Sequence, residues 1–364
     1  MSPLVTVIKD MIAADGPLTI DRYMALCLAH PRHGYYMARM PFGRQGDFVT
    51  APDVSQIFGE LIGVWCLAGW ELMGRPDPLR LVELGPGRGT LMADLLRACR
   101  IAPAFAAAAR IHLVETSPAL VALQRRTLAG AAARIAWHER LDEVPPGPMI
   151  LIANEFFDAI AIRQLQRRGG RWHERVVGLD QAGDLALGLA PDPVADDLVP
   201  AFARDAGEGA VAEIAPERCR LAAAIGARLA AAPSLALIID YGHLASAAGD
   251  TLQAVAGHRR ADPLSRPGAA DMTAHVDFAS LGNCLRQGGA AVWAAMDQAG
   301  FLAAMGLAAR VAALQRDQPP ATRAEIAQGA ARLAAADQMG HLFKVLGAGH
   351  PDLPPPFPFT LGEP

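Results

Sequence analysis

The chain has 364 residues, of which 52% are hydrophobic, and a formal net charge of −4. This length predicts one large domain or two, with ample apolar residues for a core. The net charge is slightly negative, so the protein lacks the overall positive charge that favours binding to nucleic acid. The five cysteines form no C-x-x-C pair and no apolar run reaches the roughly 18 residues of a membrane span, so we expect no metal site, no disulfide framework and no membrane insertion.

Residues 1–78 are predicted to form a helical region that contains a long loop. Apolar spacing predicts a helix over 4–14, a second helix that begins near Thr19 and a third over 56–74. The loop His30–Pro52, between the second and third helices, ends in polar residues that suit a lid over a binding site. The lid candidates are Gly46, Asp47, Phe48, Thr50, Ser55 and Gln56. Ser55 and Asp53 are equally candidates for helix N-caps.

A doubly wound parallel sheet is predicted for residues 79–364. Apolar runs typical of strands cover 80–84, 111–115, 134–138, 149–153 and 235–240, and helices at 90–100 and 118–129 lie between the early ones. Such alternation is typical of an α/β fold. Two insertions, at about 162–215 and 249–289, interrupt the pattern, and the first begins as an antiparallel meander. The remaining predicted elements are a strand near 290–294, helices at 297–306 and 321–337, and a closing strand at 341–346.

A glycine-rich turn follows the first of these strands, in Glu83-Leu-Gly-Pro-Gly-Arg-Gly-Thr90. Ligands bind beyond the carboxyl ends of strands in open α/β sheets, and Gly85, Gly87 and Gly89 would let a ligand approach the backbone. The dinucleotide fingerprint fails because its third glycine would fall on Thr90, and a phosphate loop fails because no Lys is present. A nucleotide site and a purely structural turn remain alternatives for this turn taken alone.

The spacing E-x-G-x-G-x-G resembles the first motif of class I S-adenosylmethionine (SAM) methyltransferases. A second acid, Glu115, ends the next strand, where it could accept hydrogen bonds from both ribose hydroxyls of a cofactor. The presence of both Glu83 and Glu115 favours SAM as the ligand. The predicted cofactor residues are Glu83, Gly85, Gly87, Gly89, Thr90, Glu115 and Asn154.

Two carboxylates follow the fourth strand, in Asn154-Glu155-Phe-Phe-Asp158. In this fold, that strand end faces the transferred methyl group. An arginine guanidinium stays protonated, and bringing it to a positive sulfonium in a dry site is costly unless carboxylates compensate. We therefore expect Glu155 and Asp158 to act at a cationic acceptor, with helix capping by Asn154 and Asp158 as the alternative.

The fifth strand ends at the same edge in Asp240-Tyr241-Gly-His243. Asp240 and His243 are candidates for acceptor binding or proton transfer, and Tyr241 for substrate contact. An ordinary surface or packing role is the alternative for His243.

These blocks together resemble one family, the MidA-like class I methyltransferases, whose eukaryotic members are mitochondrial complex I assembly factors that methylate arginine. The resemblance extends over His30-Pro-x-x-Gly-Tyr-Tyr36, Gly46–Thr50, Ser55–Glu60, Glu83–Thr90, Asn154–Asp158, Asp240–Gly242, Gly249–Leu252 and Thr273–Asp277. It implies a SAM-dependent protein methyltransferase that forms symmetric dimethylarginine on a respiratory complex I subunit of the 49-kDa type.

Two other functions stay open at this point. One is methylation of a small metabolite, and the other is a non-catalytic assembly factor that keeps the fold. The first 15 residues lack the pattern of a secretory or transit peptide. Together with the Ala/Arg-rich composition, this favours a bacterial cytoplasmic protein, and the oligomeric state is not predicted.

Overall fold

The structure of the protein, a computed structural model, describes residues 3–38, 50–130, 134–257 and 259–360. Its α-helices are α1 (Pro3–Asp15), α2 (Ile20–Ala29), α3 (Tyr35–Ala38), α4 (Ala51–Val54), α5 (Gln56–Leu72), α6 (Thr90–Ala98), α7 (Pro103–Ala108), α8 (Pro118–Thr127), α9 (Pro216–Ala231), α10 (Phe278–Gln287), α11 (Gln298–Ala304), α12 (Leu307–Gln315), α13 (Pro320–Ala334) and α14 (Met339–Leu342).

The strands are β1 (Leu18–Thr19), β2 (Leu79–Leu84), β3 (Ala109–Val114), β4 (Arg134–His138), β5 (Met149–Asn154), β6 (Arg163–Arg168), β7 (Arg171–Leu179), β8 (Leu185–Pro193), β9 (Val211–Ile214), β10 (Ser234–His243), β11 (Gln253–Ala256), β12 (Arg259–Ala261), β13 (Asp271–Thr273), β14 (Val276–Asp277), β15 (Ala291–Val292), β16 (Met296–Asp297) and β17 (Phe343–Gly349).

The chain divides into two compact units. One comprises the described parts of Met1–Phe48, Asp158–Arg220 and Ala245–Asp277, and the other those of Val49–Phe157, Leu221–Leu244 and Phe278–Pro364. We call them the meander unit and the sheet unit. The predicted boundary at residue 78 does not separate these units, because α5 belongs to the sheet unit.

The sheet unit contains the predicted parallel sheet, in the strand order β15-β17-β10-β5-β2-β3-β4. The strands from β10 to β4 pair in parallel, and β17 pairs antiparallel with β10. Every residue of β5 is buried, as expected for a parallel strand covered on both faces. The predicted α/β fold is confirmed. Helix α12 was missing from the sequence prediction, and the expected strand near 290–294 is only the two residues of β15.

The meander unit contains the predicted antiparallel meander. Strand β7 pairs with β1, β6 and β8, and β9 pairs with β6, while a second small sheet has the order β12-β11-β13. The apolar faces of α1 and α2 pack in one core with Val177 of β7 and Met272 of β13. This unit holds most of the chain that the sequence analysis assigned to insertions.

The expectation for the cysteines is partly wrong. Cys27, Cys66 and Cys99 are free, whereas Cys219 is disulfide-bonded. Disulfide formation depends on the Cα separation in the folded chain, which scattered sequence positions do not reveal.

Candidate active site

The glycine turn joins β2 to α6 through backbone conformations that favour glycine. Gly85, Gly87 and Gly89 have φ values of 61°, 50° and 79°, in the left-handed region where a side chain is strained. A Cβ atom on Gly85 would lie 2.8 Å from Cδ2 of Phe156. The three glycines are therefore required by the local backbone as well as by the predicted approach of a ligand.

Glu83 lies in β2 just before this turn, with only 2% of its surface exposed. Burial raises the pKa of its carboxyl group to about 8. Its Oε2 atom has no hydrogen-bond partner among the residues that the structure describes. A buried carboxyl group is costly to ionise without a partner, so this site suits a ligand that brings a positive charge.

Glu115 follows β3 and is tied to the glycine turn by a side chain that the sequence analysis missed. The Glu115 carboxylate accepts from the backbone N–H of Ser117 at 2.8 Å and from Nε2 of Gln124 at 3.1 Å. The same Nε2 donates to the carbonyl oxygen of Gly87 at 2.8 Å, and Oε1 of Gln124 accepts from Nε1 of Trp137 at 3.0 Å. Burial raises the pKa of the Glu115 carboxyl group. Gln124 therefore holds the Glu115 carboxylate in a fixed position relative to the glycine turn.

Asn154 and Glu155 lie at the carboxyl end of β5, which pairs in parallel with both β2 and β10. Glu155 has a φ of 49° and donates its N–H to the carbonyl oxygen of Ile239 at 2.9 Å. Its Oε1 atom accepts from the backbone N–H of Ala51 at 3.0 Å and from Nδ2 of Asn154 at 3.2 Å. Oδ1 of Asn154 is buried and has no hydrogen-bond partner within the described ranges. This strand end thus presents a carboxylate and an amide in a turn whose strained backbone conformation is held by hydrogen bonds.

Asp240 is fully buried and shapes the chain after Glu155. Its Oδ2 atom accepts from the backbone N–H groups of Phe156 at 3.2 Å and Phe157 at 3.0 Å, and Oδ1 accepts from that of Tyr241 at 2.9 Å. These bonds give Asp240 a positioning role, and its predicted action on the acceptor stays a prediction. Tyr241 and His243 are half-buried at the end of β10.

Asp158 belongs to the meander unit. Its Oδ1 atom accepts from the N–H of Ala159 at 2.8 Å. Its carbonyl oxygen accepts from Nη2 of Arg218 at 3.0 Å and from the N–H of Ala274 at 3.1 Å. Because a turn and then β6 follow Asp158, the alternative that Asn154 and Asp158 cap a following helix is wrong. Arg218 was not predicted from the sequence. Its guanidinium donates to backbone carbonyl groups of the meander unit, among them those of Asp158 and Ala274.

The predicted lid falls partly within the described chain. Gly46, Asp47 and Phe48 lie outside the described residues. Oγ1 of Thr50 donates to Asp53 at 3.3 Å, and Asp53 also accepts from Oγ1 of Thr90 at 3.4 Å and pairs with Arg88 at 3.6 Å. Helix α4 is therefore connected to the glycine turn by Asp53 and to the end of β5 by Glu155.

Ser55 and Gln56 have local roles at the start of α5. Oγ of Ser55 accepts from the N–H of Ile57 at 3.3 Å, which confirms the N-cap interpretation. Nε2 of Gln56 donates to Glu60 at 3.4 Å. Glu60 in turn accepts from Arg97 and Arg310, so the beginning of α5 is held in an ionic network.

Comparison with known proteins decides the family. The sequence profile of S-adenosyl-L-methionine-dependent methyltransferases matches residues 61–295. The chain belongs to this methyltransferase family. It is 35% identical to the protein arginine methyltransferase NDUFAF7, mitochondrial, of Xenopus tropicalis, over 92% of this chain and 82% of that protein. The corresponding protein of Homo sapiens is 33% identical, over 94% of this chain and 82% of its own length.

A solved structure agrees with this assignment. A COG1565 superfamily member from Burkholderia thailandensis, crystallised with S-adenosyl-homocysteine, has a similar structure. The TM-score is 0.85 and the sequence identity 29%, over 95% of this chain and 92% of that chain. The methyltransferase uses SAM, which supplies an activated methyl group on a positively charged sulfur. The glycine turn, the Oε2 atom of Glu83 that no described residue contacts by a hydrogen bond, and the acid Glu115 fit such a cationic, ribose-bearing cofactor.

The described ranges contain no group of three or more His, Cys, Asp and Glu side chains arranged to hold a metal ion. Among the helices of these ranges, none is both long and apolar enough to cross a bilayer.

Proposed function

We propose that this methyltransferase transfers methyl groups to arginine side chains of a protein substrate. The observation that carries the proposal is the carboxylate of Glu155, held at the carboxyl end of β5 by the bonds to Ala51 and Asn154. The relatives named protein arginine methyltransferase support the same acceptor.

The chemistry follows from charge. A guanidinium remains protonated at neutral pH, and it must approach a second cation, the sulfonium, at close range. The Glu155 carboxylate would offset this repulsion and orient one guanidinium nitrogen for in-line displacement. That nitrogen forms a bond to the methyl carbon as the carbon–sulfur bond breaks, and the nitrogen then loses a proton. Positioning and electrostatic stabilisation account for such catalysis without a covalent enzyme intermediate.

The resemblance of the sequence blocks supports a narrower proposal. The protein substrate would be a respiratory complex I subunit of the 49-kDa type, the product symmetric dimethylarginine, and the location the bacterial cytoplasm. Incubating a cell lysate with labelled SAM and the protein separates this proposal from its rivals. Label in a protein band supports methylation of a protein substrate. Label only in small molecules favours a metabolite methyltransferase, and no label favours a non-catalytic assembly factor.

The direct test of the carboxylate is Glu155→Gln. Glutamine keeps an oxygen that can accept from the N–H of Ala51, so the turn should persist while the charge is lost. We expect SAM affinity within a few-fold of wild type and a loss of roughly 10²–10³ in the single-turnover rate on an arginine peptide, the usual effect of removing one electrostatic stabiliser. The exposed Glu71→Gln in α5 is the matched control and should leave the rate unchanged. A wild-type rate for Glu155→Gln would contradict the mechanism and favour a neutral acceptor.

A further inference from the structure

Strand β8 forms an edge of the meander sheet. It pairs with β7, and within the described chain no other strand pairs with it. Its first six residues, Leu185–Ala190, are uncharged and contain neither Lys nor Pro, so they lack the features that commonly protect an edge from pairing. Leu187 at the centre of this run is 47% exposed. The strand therefore presents an accessible backbone to a further strand.

The hairpin register identifies the backbone groups that point outward. The N–H of Asp180 donates to the carbonyl oxygen of Asp184 at 2.8 Å, which makes these two residues a hydrogen-bonded pair. Bonded and non-bonded pairs alternate along an antiparallel ladder. The residues of β8 whose N–H and C=O groups point away from β7 are therefore Leu185, Leu187 and Leu189.

The chain around this edge is strongly acidic. Residues 180–208 contain seven acidic side chains and a single basic one, Arg204. All seven acidic residues are exposed. Asp184 pairs with Lys9 at 3.2 Å, whereas Asp192, Asp196, Asp197 and Asp205 form no ion pair with any described residue. The free edge therefore lies within a segment that attracts cations.

We propose that β8 binds an extended, arginine- and lysine-containing segment of the protein substrate by strand addition. Backbone bonds to an edge strand supply affinity, and neighbouring side chains supply specificity. The acidic residues select basic segments. They also disfavour pairing of two β8 strands from separate copies, because Asp184 immediately before the strand and Asp192 near its end would meet like charges. The proposal rests on the proposed function, since it assigns a docking site to that protein substrate.

Binding can be measured without methyl transfer, by fluorescence anisotropy of a labelled synthetic peptide of alternating arginine and valine. Leu187→Pro removes an outward N–H while leaving the bonds to β7, because proline is tolerated on the open side of an edge strand. We expect the dissociation constant to rise about tenfold or more for Leu187→Pro and for the double variant Asp196→Lys, Asp197→Lys. The double variant Glu325→Lys, Asp337→Lys reverses two exposed acidic residues of the sheet unit, so it is the matched charge control and should bind like wild type.

The peptide provides a second test that does not depend on the folding of a variant. N-methylation of alternate backbone amides keeps the arginine charges but removes the donors, and should weaken binding to wild type about as much as Leu187→Pro does. Equal binding of the plain and N-methylated peptides would overturn strand addition. So would a dimer in analytical ultracentrifugation that Leu187→Pro dissociates, because a second copy would then occupy the edge.

Methyl transfer separates this proposal from the proposed function. If arginine peptides are methylated but bind independently of β8, the docking site is wrong and the activity stands. If the basic peptide binds through β8 but no arginine is methylated, the activity is wrong and the docking site stands.

Discussion

Glu83 is a predicted cofactor residue whose buried carboxyl group also affects the stability of the fold. Burial raises its pKa to about 8, above the ordinary value of 4.5. Between these two values the folded chain binds more protons at this position than the unfolded chain, so its contribution to folding stability is lost as the pH rises through about 8. Below the ordinary value both states are protonated, and the contribution is fully present.

The loss of the stabilising contribution of Glu83 at high pH predicts how Glu83→Gln should differ from wild type. The amide has a similar shape and does not ionise, so the variant should gain stability relative to wild type when the pH is raised from 6 to 9. Urea denaturation at both pH values measures the change in the free energy of unfolding. Glu139→Gln, an exposed position, controls for general effects of charge. A stability difference between wild type and Glu83→Gln that stays constant with pH would mean that Glu83 ionises in the folded protein as an ordinary glutamate.

Glu115 should contribute to SAM affinity directly and through Gln124. If its carboxylate accepts two ribose hydroxyls, Glu115→Ala should weaken SAM binding by roughly 2–4 kcal/mol, at about 1.5–3 kcal/mol per charge-assisted bond with partial compensation by water. Gln124→Leu keeps the acid but removes its tie to Gly87, and should weaken binding less. Isothermal titration calorimetry of both variants checks the order. Unchanged affinity in Glu115→Ala would remove this residue from the cofactor site.

At the scale of elements, α4 connects two strand ends of the site. Its first N–H is bonded to Glu155, and Asp53 contacts Thr90 and Arg88 of the glycine turn. A ligand that binds at either strand end should therefore reduce the local unfolding of α4. We expect slower amide hydrogen exchange for residues 50–56 with SAM and an arginine peptide than without them, and unchanged exchange in β17, which serves as an internal control. Equal protection of residues 50–56 in both states would show that this segment is only structural.

The sequence could predict the elements whose signal is local. The apolar runs of β2, β3 and β5 and the glycine turn are patterns within a few residues, and each was found close to its observed bounds. Gln124 and Arg218 were missed because their function depends on partners far along the chain, such as Gly87 and Ala274. The same reason explains why the bond between Ala51 and Glu155 could not be foreseen. Spacing shows which residues share a strand end, but not which hydrogen bonds they form.

At the scale of the whole molecule, the net charge of −4 conceals an uneven distribution. The meander unit carries the acidic segment 180–208, whereas the predicted cofactor residues lie in the sheet unit. Assigning cofactor binding and proposed substrate docking to different units means that each can be tested by variants of one unit alone. Variants of β8 should leave SAM affinity unchanged, because none of the predicted cofactor residues belongs to the meander unit.

Cofactor binding should also raise the thermal stability of the whole chain. A ligand that binds only the folded state at about 100 times its dissociation constant adds about 2.7 kcal/mol to the free energy of unfolding. For a chain of this size, that corresponds to a rise of a few degrees in melting temperature. Gly87→Val should abolish the rise, because valine is strained at a φ of 50° and its side chain would enter the cofactor space.

The comparison is made within each variant, with and without SAM, so that a lower starting stability of Gly87→Val does not affect the result. Gly300→Ala is the matched control, since a Cβ atom there meets nothing within 4 Å and should leave the SAM-induced rise intact. Differential scanning calorimetry gives both melting temperatures. A full SAM-induced rise in Gly87→Val would place the cofactor away from the glycine turn, because a branched side chain at its centre is incompatible with close approach of a ligand to that backbone.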